Sequence, residues 1–304
     1  MSLTNFDNGI SSMGVPVVGA GMLPIPRLNG KYLFADSVNG NNSNNGESVD
    51  KPLSTIDYAV GKCTANRGDV IIALPGHIET ISAAGGLDLD VAGITIVGQG
   101  RGATQAKIVF DTATTADMDV DAADVTVIGM HFTANFADIV AAIDVNADDF
   151  TVRGCRFSET AVSMNALIWI QDAAATGSDR IVVEGCDVRL LDAANTHFIN
   201  YAGTGDGHIF RNNMLLGDWG TLAVGGAGVV TFAACYNNRI YNVATTNDSC
   251  INFAATATGL IMGNMCGGGA AQANGITSGT MATCENYYGN IAEDLSGILD
   301  PIAT

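Results

Sequence analysis

Positive charge, proline and tryptophan are scarce in this chain: 13 Lys and Arg against 31 Asp and Glu, 6 prolines and 2 tryptophans among 304 residues. A phosphate-binding surface needs clustered Lys and Arg to displace counterions. At a net charge of −18, such clusters are not available. Nucleic acid and anionic membranes are therefore not expected as partners, and the acidity reads as a solubility device. Only 14% of residues are charged while 47% are apolar, the reverse of a disordered composition. No basic region followed by an apolar run opens the sequence, so no signal peptide is expected. The uncharged stretch from Gly220 up to Arg239 is broken by glycines and makes a poor membrane span. The 7 cysteines are odd in number and show no C-x2-C spacing. They read as free thiols kept reduced, with no zinc site, other metal or cofactor expected.

What is abundant is glycine, 37 residues, and much of it falls in a recurring phrase. Ile94-Thr95-Ile96-Val97-Gly98, Val125-Thr126-Val127-Ile128-Gly129, Phe150-Thr151-Val152-Arg153-Gly154 and Ile181-Val182-Val183-Glu184-Gly185 are its clearest copies. Weaker copies carry the marker Gly or Asn at 212, 237, 263 and 286, in steps of about 23 to 31 residues. A fixed period in this range signals a solenoid. A second apolar run lies upstream of most markers, as in Met118-Asp119-Val120, Ile143-Asp144-Val145 and Ile168-Trp169-Ile170. Each coil thus holds at least two strands, with the middle residue of each triplet outward. The slot after the marker reads Met130, Cys155, Cys186, Asn213, Asn238, Asn264 and Tyr287. Its first three members are core fillers and its asparagines predict a structural amide ladder.

Residues 1–30 lack this period. Val15, Pro16, Val17, Val18, Met22, Leu23, Pro24, Ile25 and Pro26 make an apolar, proline-punctuated segment that predicts an extended arm docked on a partner surface. One helix is expected at Ser54–Cys63, with Ser54 as N-cap and Ile56, Ala59, Val60 and Cys63 on one face. It would cap the first coil, whose apolar end and strand edges are otherwise open. Residues 31–290 then form the solenoid and 291–304 a C-terminal cap or tail.

The segment Gly30-Lys31-Tyr32-Leu33-Phe34-Ala35, Pro52-Leu53-Ser54-Thr55-Ile56-Asp57-Tyr58-Ala59-Val60 and Gly68-Asp69-Val70-Ile71-Ile72-Ala73-Leu74-Pro75-Gly76 resembles the opening of right-handed parallel β-helix proteins of the pectate-lyase-like superfamily. With the repeats counted, the resemblance covers residues 31–290. It implies an all-β, single-stranded right-handed parallel β-helix and says little about activity.

Polysaccharide-cleaving β-helices work on the outside of the coil with paired carboxylates. Asp119 and Asp144, outward and one coil apart, are the candidates, with Asp117, Asp121, Asp124, Asp148 and Asp149 nearby. Against catalysis, the next coil offers Trp169 at that site and no Arg or Lys accompanies the pair. The four histidines, His77, His131, His197 and His208, have no evident acid partner and read as solvated. Gly98-Gln99-Gly100-Arg101-Gly102 reads as a turn, since no helix follows it. The leading expectation is a non-enzymatic bacteriophage structural protein, of the kind such β-helices supply. It would be a capsid decoration protein held by its arm on the major capsid protein or another virion component. It would be made in the host cytoplasm and be a homotrimer by analogy. The alternatives are a tailspike or glycan-binding adhesin, with Trp169, Tyr201, Trp219, Tyr241, Tyr287 and Tyr288 as candidate aromatics, and a polysaccharide lyase or hydrolase.

Overall fold

Strands of this chain are too short to be stable alone, three to seven residues in most coils, and each is completed by the coil above and below it. In the computed structural model, which describes residues 30–173, 177–190, 192–244, 249–268, 275–277 and 279–290 with short strands at 11–12, 15–16 and 297–298, the result is a parallel β-solenoid. Three sheets run its length. The first stacks ten strands from Tyr32–Ala35 to Ala282–Cys284. The second runs from Ile78–Ile81 to Tyr287–Asn290 and is closed by the antiparallel pair at Gly297–Ile298. The third runs from Leu87–Asp88 to Ile276–Thr277. A full coil thus supplies three strands.

The marker of the repeat is a backbone requirement. The turn from first to second sheet holds one residue at positive φ: Gly129 at 68°, Gly154 at 60°, Gly185 at 66°, Asn212 at 56°, Asn237 at 55° and Gly263 at 65°. Gly and Asn visit this region most cheaply. The last coil departs from the pattern. Glu285 takes the position at φ 53°, so the marker expected at 286 lies one residue earlier. Asn286, not Tyr287, then enters the slot behind it.

That shift extends the ladder. Asn238 Nδ2 donates to Asn264 Oδ1 at 2.9 Å, and Asn264 Nδ2 to Asn286 Oδ1 at 3.0 Å. Asn213 Nδ2 donates likewise to Asn238 Oδ1 at 3.1 Å. The same Oδ1 atoms accept the backbone N–H groups of the preceding rungs, beginning with Cys186 N–H to Asn213 Oδ1 at 2.9 Å. Met130, Cys155 and Cys186 continue the column below, all buried. Burial pushes the Cys155 thiol up to about 12, which keeps it un-ionised and inert.

The interior is apolar, with Phe110, Phe132 and Phe157 stacked coil on coil at centroid spacings of 6.4 and 5.0 Å. Trp169 meets Phe157 edge-on at 5.7 Å and is fully buried, which corrects its outward reading. Its strand, Ala166–Asp172, buries two consecutive residues, Trp169 and Ile170, as the preceding coil does with Ala142 and Ile143. Simple alternation counted from Ile168 therefore misassigns the face.

The capping helix is shorter than expected, Ile56–Val60, and Thr55 rather than Ser54 is its N-cap, accepting from Tyr58 N–H at 3.2 Å. Ser54 is instead held by Asn42, whose Oδ1 accepts the Ser54 N–H at 2.9 Å. Glu79, on the second sheet, accepts the free N–H groups of Ile56 and Asp57 at 2.5 and 3.2 Å. Ile56, Ala59 and Val60 face the core, as a cap requires. Of the arm, only Ser11–Ser12 and Val15–Pro16 are described, as an antiparallel pair. Val17, Val18, Met22, Leu23, Pro24, Ile25 and Pro26 lie outside the described residues, as does most of 291–304.

Truncating a middle rung strands donors on the rung before it and leaves the acceptor of the rung after it short of a partner. Asn238→Ala removes bonds to Phe210 O, Asn264 and Asn213, so we expect a loss of about 2–4 kcal/mol of stability, read as a lower denaturation midpoint in urea.

Candidate functional site

The third sheet carries the candidate carboxylates. Its outward column runs Asp88, Asp119, Asp144, Gln171, Asn200, Gly225 and Asn252, each paired in register with the next. Asp119 and Asp144 are thus direct neighbours across one inter-coil spacing, about 4.8 Å. The residue at this site in the following coil is Gln171, not Trp169. From there the column turns from acids to amides, with Asn200 Nδ2 donating to Gln171 Oε1 at 3.1 Å.

Crowding of like charge shapes this column. Partial burial, then Asp117, Asp121, Asp144 and Asp88, push the Asp119 carboxyl up to about 6. Burial first, and then Asp117 and Asp121, also raises Asp144. Burial, with Asp90, Asp121 and Asp57, raises Asp88. Asp117 is tied to the turn before the sheet, accepting the Gly85 N–H at 2.5 Å. In this row Asp119 holds its proton up to about pH 6. Its members shift in one direction, whereas acid and base partners need environments that push their pKa values apart. Among the described residues, no group of three or more His, Cys, Asp or Glu is arranged to hold a metal ion.

A different acid lies behind the column. Asp172 follows Gln171 and points inward, in the slot filled by Val120 and Val145 in earlier coils and by Tyr201 in the next. It is fully buried, and neither carboxylate oxygen has a hydrogen-bond partner. Burial pushes its pKa up to about 7, offset only in part by nearby Ser178 and Gly203. One coil on, His208 stacks on Tyr201 at 4.6 Å and accepts the Ile181 N–H at 3.2 Å through Nδ1. Burial drives this histidine down to about 4, against a weaker upward pull from Asp179 and Asp206. The sequence signal for Asp172 is visible only once coils are aligned: an acid where its predecessors carry valine.

Three of the four histidines are buried rather than solvated, and His197 is half-buried. His77 is fully buried with Nε2 3.2 Å from Glu79 Oε2, an acid partner two residues away. His131 and His208 are also buried. Four of the six candidate aromatics, Trp169, Tyr201, Trp219 and Tyr288, belong to the core. Tyr241 and Tyr287 remain outside, 42% and 48% exposed on the second sheet. Tyr241 lines a shallow groove of about 370 Å³ with Met214, Leu216, Arg239, Met265 and Gly267.

No protein-family model matches the chain, nor does any curated protein sequence. Among solved structures it is similar to a rhamnogalacturonan lyase, at 12% identity over 84% of this chain and 87% of the other, with a TM-score of 0.44. It is also similar to a GH136 lacto-N-biosidase from Eubacterium ramulus, at 11% identity over 86% of this chain and 68% of the other, TM-score 0.37. A second structure of that enzyme gives 13% and 0.32. The three-sheet topology itself defines the class of protein, a parallel β-helix solenoid.

Two outcomes test these acids. Asp172 keeps its proton to about pH 7 when folded but loses it near pH 3.9 when unfolded. The folded chain therefore binds more protons across that window, and stability falls as pH rises from about 4 to 7, by up to roughly 4 kcal/mol, then levels off. Asp172→Asn should flatten this profile in denaturation series. Asp119→Asn and Asp144→Asn should leave any glycan cleavage unchanged. A measured loss would assign the column to catalysis.

Proposed function

We propose that this chain is a non-enzymatic structural protein of a bacteriophage particle, a capsid decoration protein. Its rigid solenoid is displayed and its first 30 residues dock on the major capsid protein or another virion component. What carries the reading is the chemistry of the third-sheet column. Its three adjacent carboxylates, Asp88, Asp119 and Asp144, are shifted in a single direction and the column continues as Gln171 and Asn200, which is a surface without divided acid and base roles. The buried, un-ionised thiols suit folding in the reducing host cytoplasm, and the virion is the proposed destination. The apolar content of Val15, Val17, Val18, Met22, Leu23 and Ile25 supplies the docking energy. A homotrimer is the proposed state.

A second reading, a glycan-binding tailspike or adhesin, is favoured by Tyr241 and the groove beside it, because exposed aromatic faces stack on sugars. Tyr241→Ala would abolish glycan capture under that reading and leave particle binding unchanged under the first.

Negative-stain imaging of particles incubated with the full chain or with a chain lacking residues 1–30 tests the docking. Occupancy should fall to background without the arm. Unchanged occupancy would refute anchoring by this segment.

A further inference from the structure

Several cations of this acidic chain are already held by acids. On the outer face of the first sheet, Arg153 Nε lies 3.2 Å and Arg211 Nη2 3.0 Å from Glu184 Oε2. On the second sheet Arg189 Nε lies 3.4 Å from Asp187 Oδ1. Lys107 and Arg156, also on the second sheet, differ from these. They occupy outward positions in register with His131, one in the coil before it and one in the coil after, about 10 Å apart. Coil register thus gathers three basic side chains that the sequence scatters. Both cations are half-buried, and among the described residues neither has an ion-pair partner.

His131 between them is only 7% exposed, although Phe132 beside it takes the inward position. Its Nε2 lies 2.8 Å from Ser158 Oγ and 3.2 Å from Thr133 Oγ1. When Nε2 accepts from Ser158, the neutral ring carries its proton on Nδ1. That atom is buried without a partner, and so is Arg156 Nε. Buried polar atoms left open in this way call for a water or an ion. Burial, then Arg156 and Lys107, hold His131 down to about 4 against a weaker upward pull from Asp187. The field at this spot is therefore positive, and it selects an anion.

We propose that Lys107 and Arg156 clamp one doubly charged tetrahedral oxyanion over His131, either free phosphate or the terminal phosphate monoester of a larger molecule. Charge sets the class of ligand. Two cations without partners are neutralised by a dianion, whereas a carboxylate would leave one of them open. The donors fit as well: an ammonium and a guanidinium are the side chains that bind phosphate oxygens by charge-assisted hydrogen bonds. The His131 Nδ1–H supplies a neutral donor at the floor, and Ser158 and Thr133 fix the ring from its other nitrogen. Further up the same column stand Asp187 and Met214, so the clamp is a site for a single group and not a track for nucleic acid. The inference goes beyond the proposed function and stands whether or not the chain decorates a particle.

The test is titration calorimetry on the full chain at about pH 7.5, where a phosphate monoester carries close to two charges. Sodium phosphate, sodium sulfate and glucose 6-phosphate are compared with sodium acetate and sodium chloride at matched ionic strength. We expect phosphate and sulfate to bind with a Kd of about 1 mM or tighter, and acetate and chloride not to bind. Lys107→Gln and Arg156→Gln should each weaken phosphate at least about tenfold. Arg239→Gln, in the same column but three coils above Arg156, should change nothing, which separates a clamp from general attraction. Nuclear magnetic resonance of the ring-labelled histidines gives a second readout: phosphate should move the His131 signals and leave those of His77, His197 and His208 in place. Circular dichroism should match the wild type. Should Arg156→Gln not fold, Lys107→Gln must carry the loss alone. Binding of glucose 6-phosphate together with phosphate supports the site and assigns it to terminal monoesters, while binding of the inorganic ions alone supports it as a site for free phosphate. The inference is overturned if neither phosphate nor sulfate binds, if acetate binds equally well, if Arg239→Gln weakens binding as much as the clamp variants do, or if the His131 signals stay still while phosphate binds.

Discussion

Each coil in this molecule must pass its backbone N–H and C=O groups to the coils on either side, in register, at a spacing fixed by the peptide hydrogen bond. Everything else follows from that constraint. A position in one coil is locked above the matching position in the next, so side chains are selected by column. The core columns settle on stacked Phe110, Phe132 and Phe157. The turn column settles on residues that accept positive φ. Polar side chains can line the interior as a column where the column itself satisfies them, as from Asn213 to Asn286.

The same locking sets the electrostatics. Partly buried, and set in a column where like charges cannot move apart, Asp88, Asp119 and Asp144 hold protons longer than free carboxylates do. Arg153, Glu184 and Arg211 show the opposite arrangement, alternating sign along one column. Asp172 is the exception inside, an acid in a slot its neighbours fill with Val145 and Tyr201, and its charge state follows pH near neutrality. The columns thus give each face its own character, and only the exterior can vary without loss of the stack.

Most of the fold was legible in the sequence because the turn column leaves a glycine or asparagine at each step, and because Ile56, Ala59 and Val60 share a face. What escaped were local departures from the period. Glu285 bears a positive φ without the residue types that announce it, which displaced the last rung of the ladder by one. Trp169 and Ile170 are buried in succession, so alternation pointed the indole the wrong way. The His77–Glu79 pair was hidden because its meaning depends on the helix that Glu79 caps. The candidate site was legible as a pair of acids, and its pairing in register was confirmed. Its protonation was not, since it depends on charges from three coils at once.

The asparagine ladder also has a direction in time. Each rung's backbone N–H is accepted by the side chain of the coil that follows: Cys186 waits for Asn213, Asn213 for Asn238, Asn238 for Asn264 and Asn264 for Asn286. On a ribosome the chain emerges from its N-terminus, so every newly made coil leaves one buried donor open until the next is synthesised. The column acts as a vectorial zipper running to Asn286, and the upper half of the solenoid is sealed only when that residue has been made.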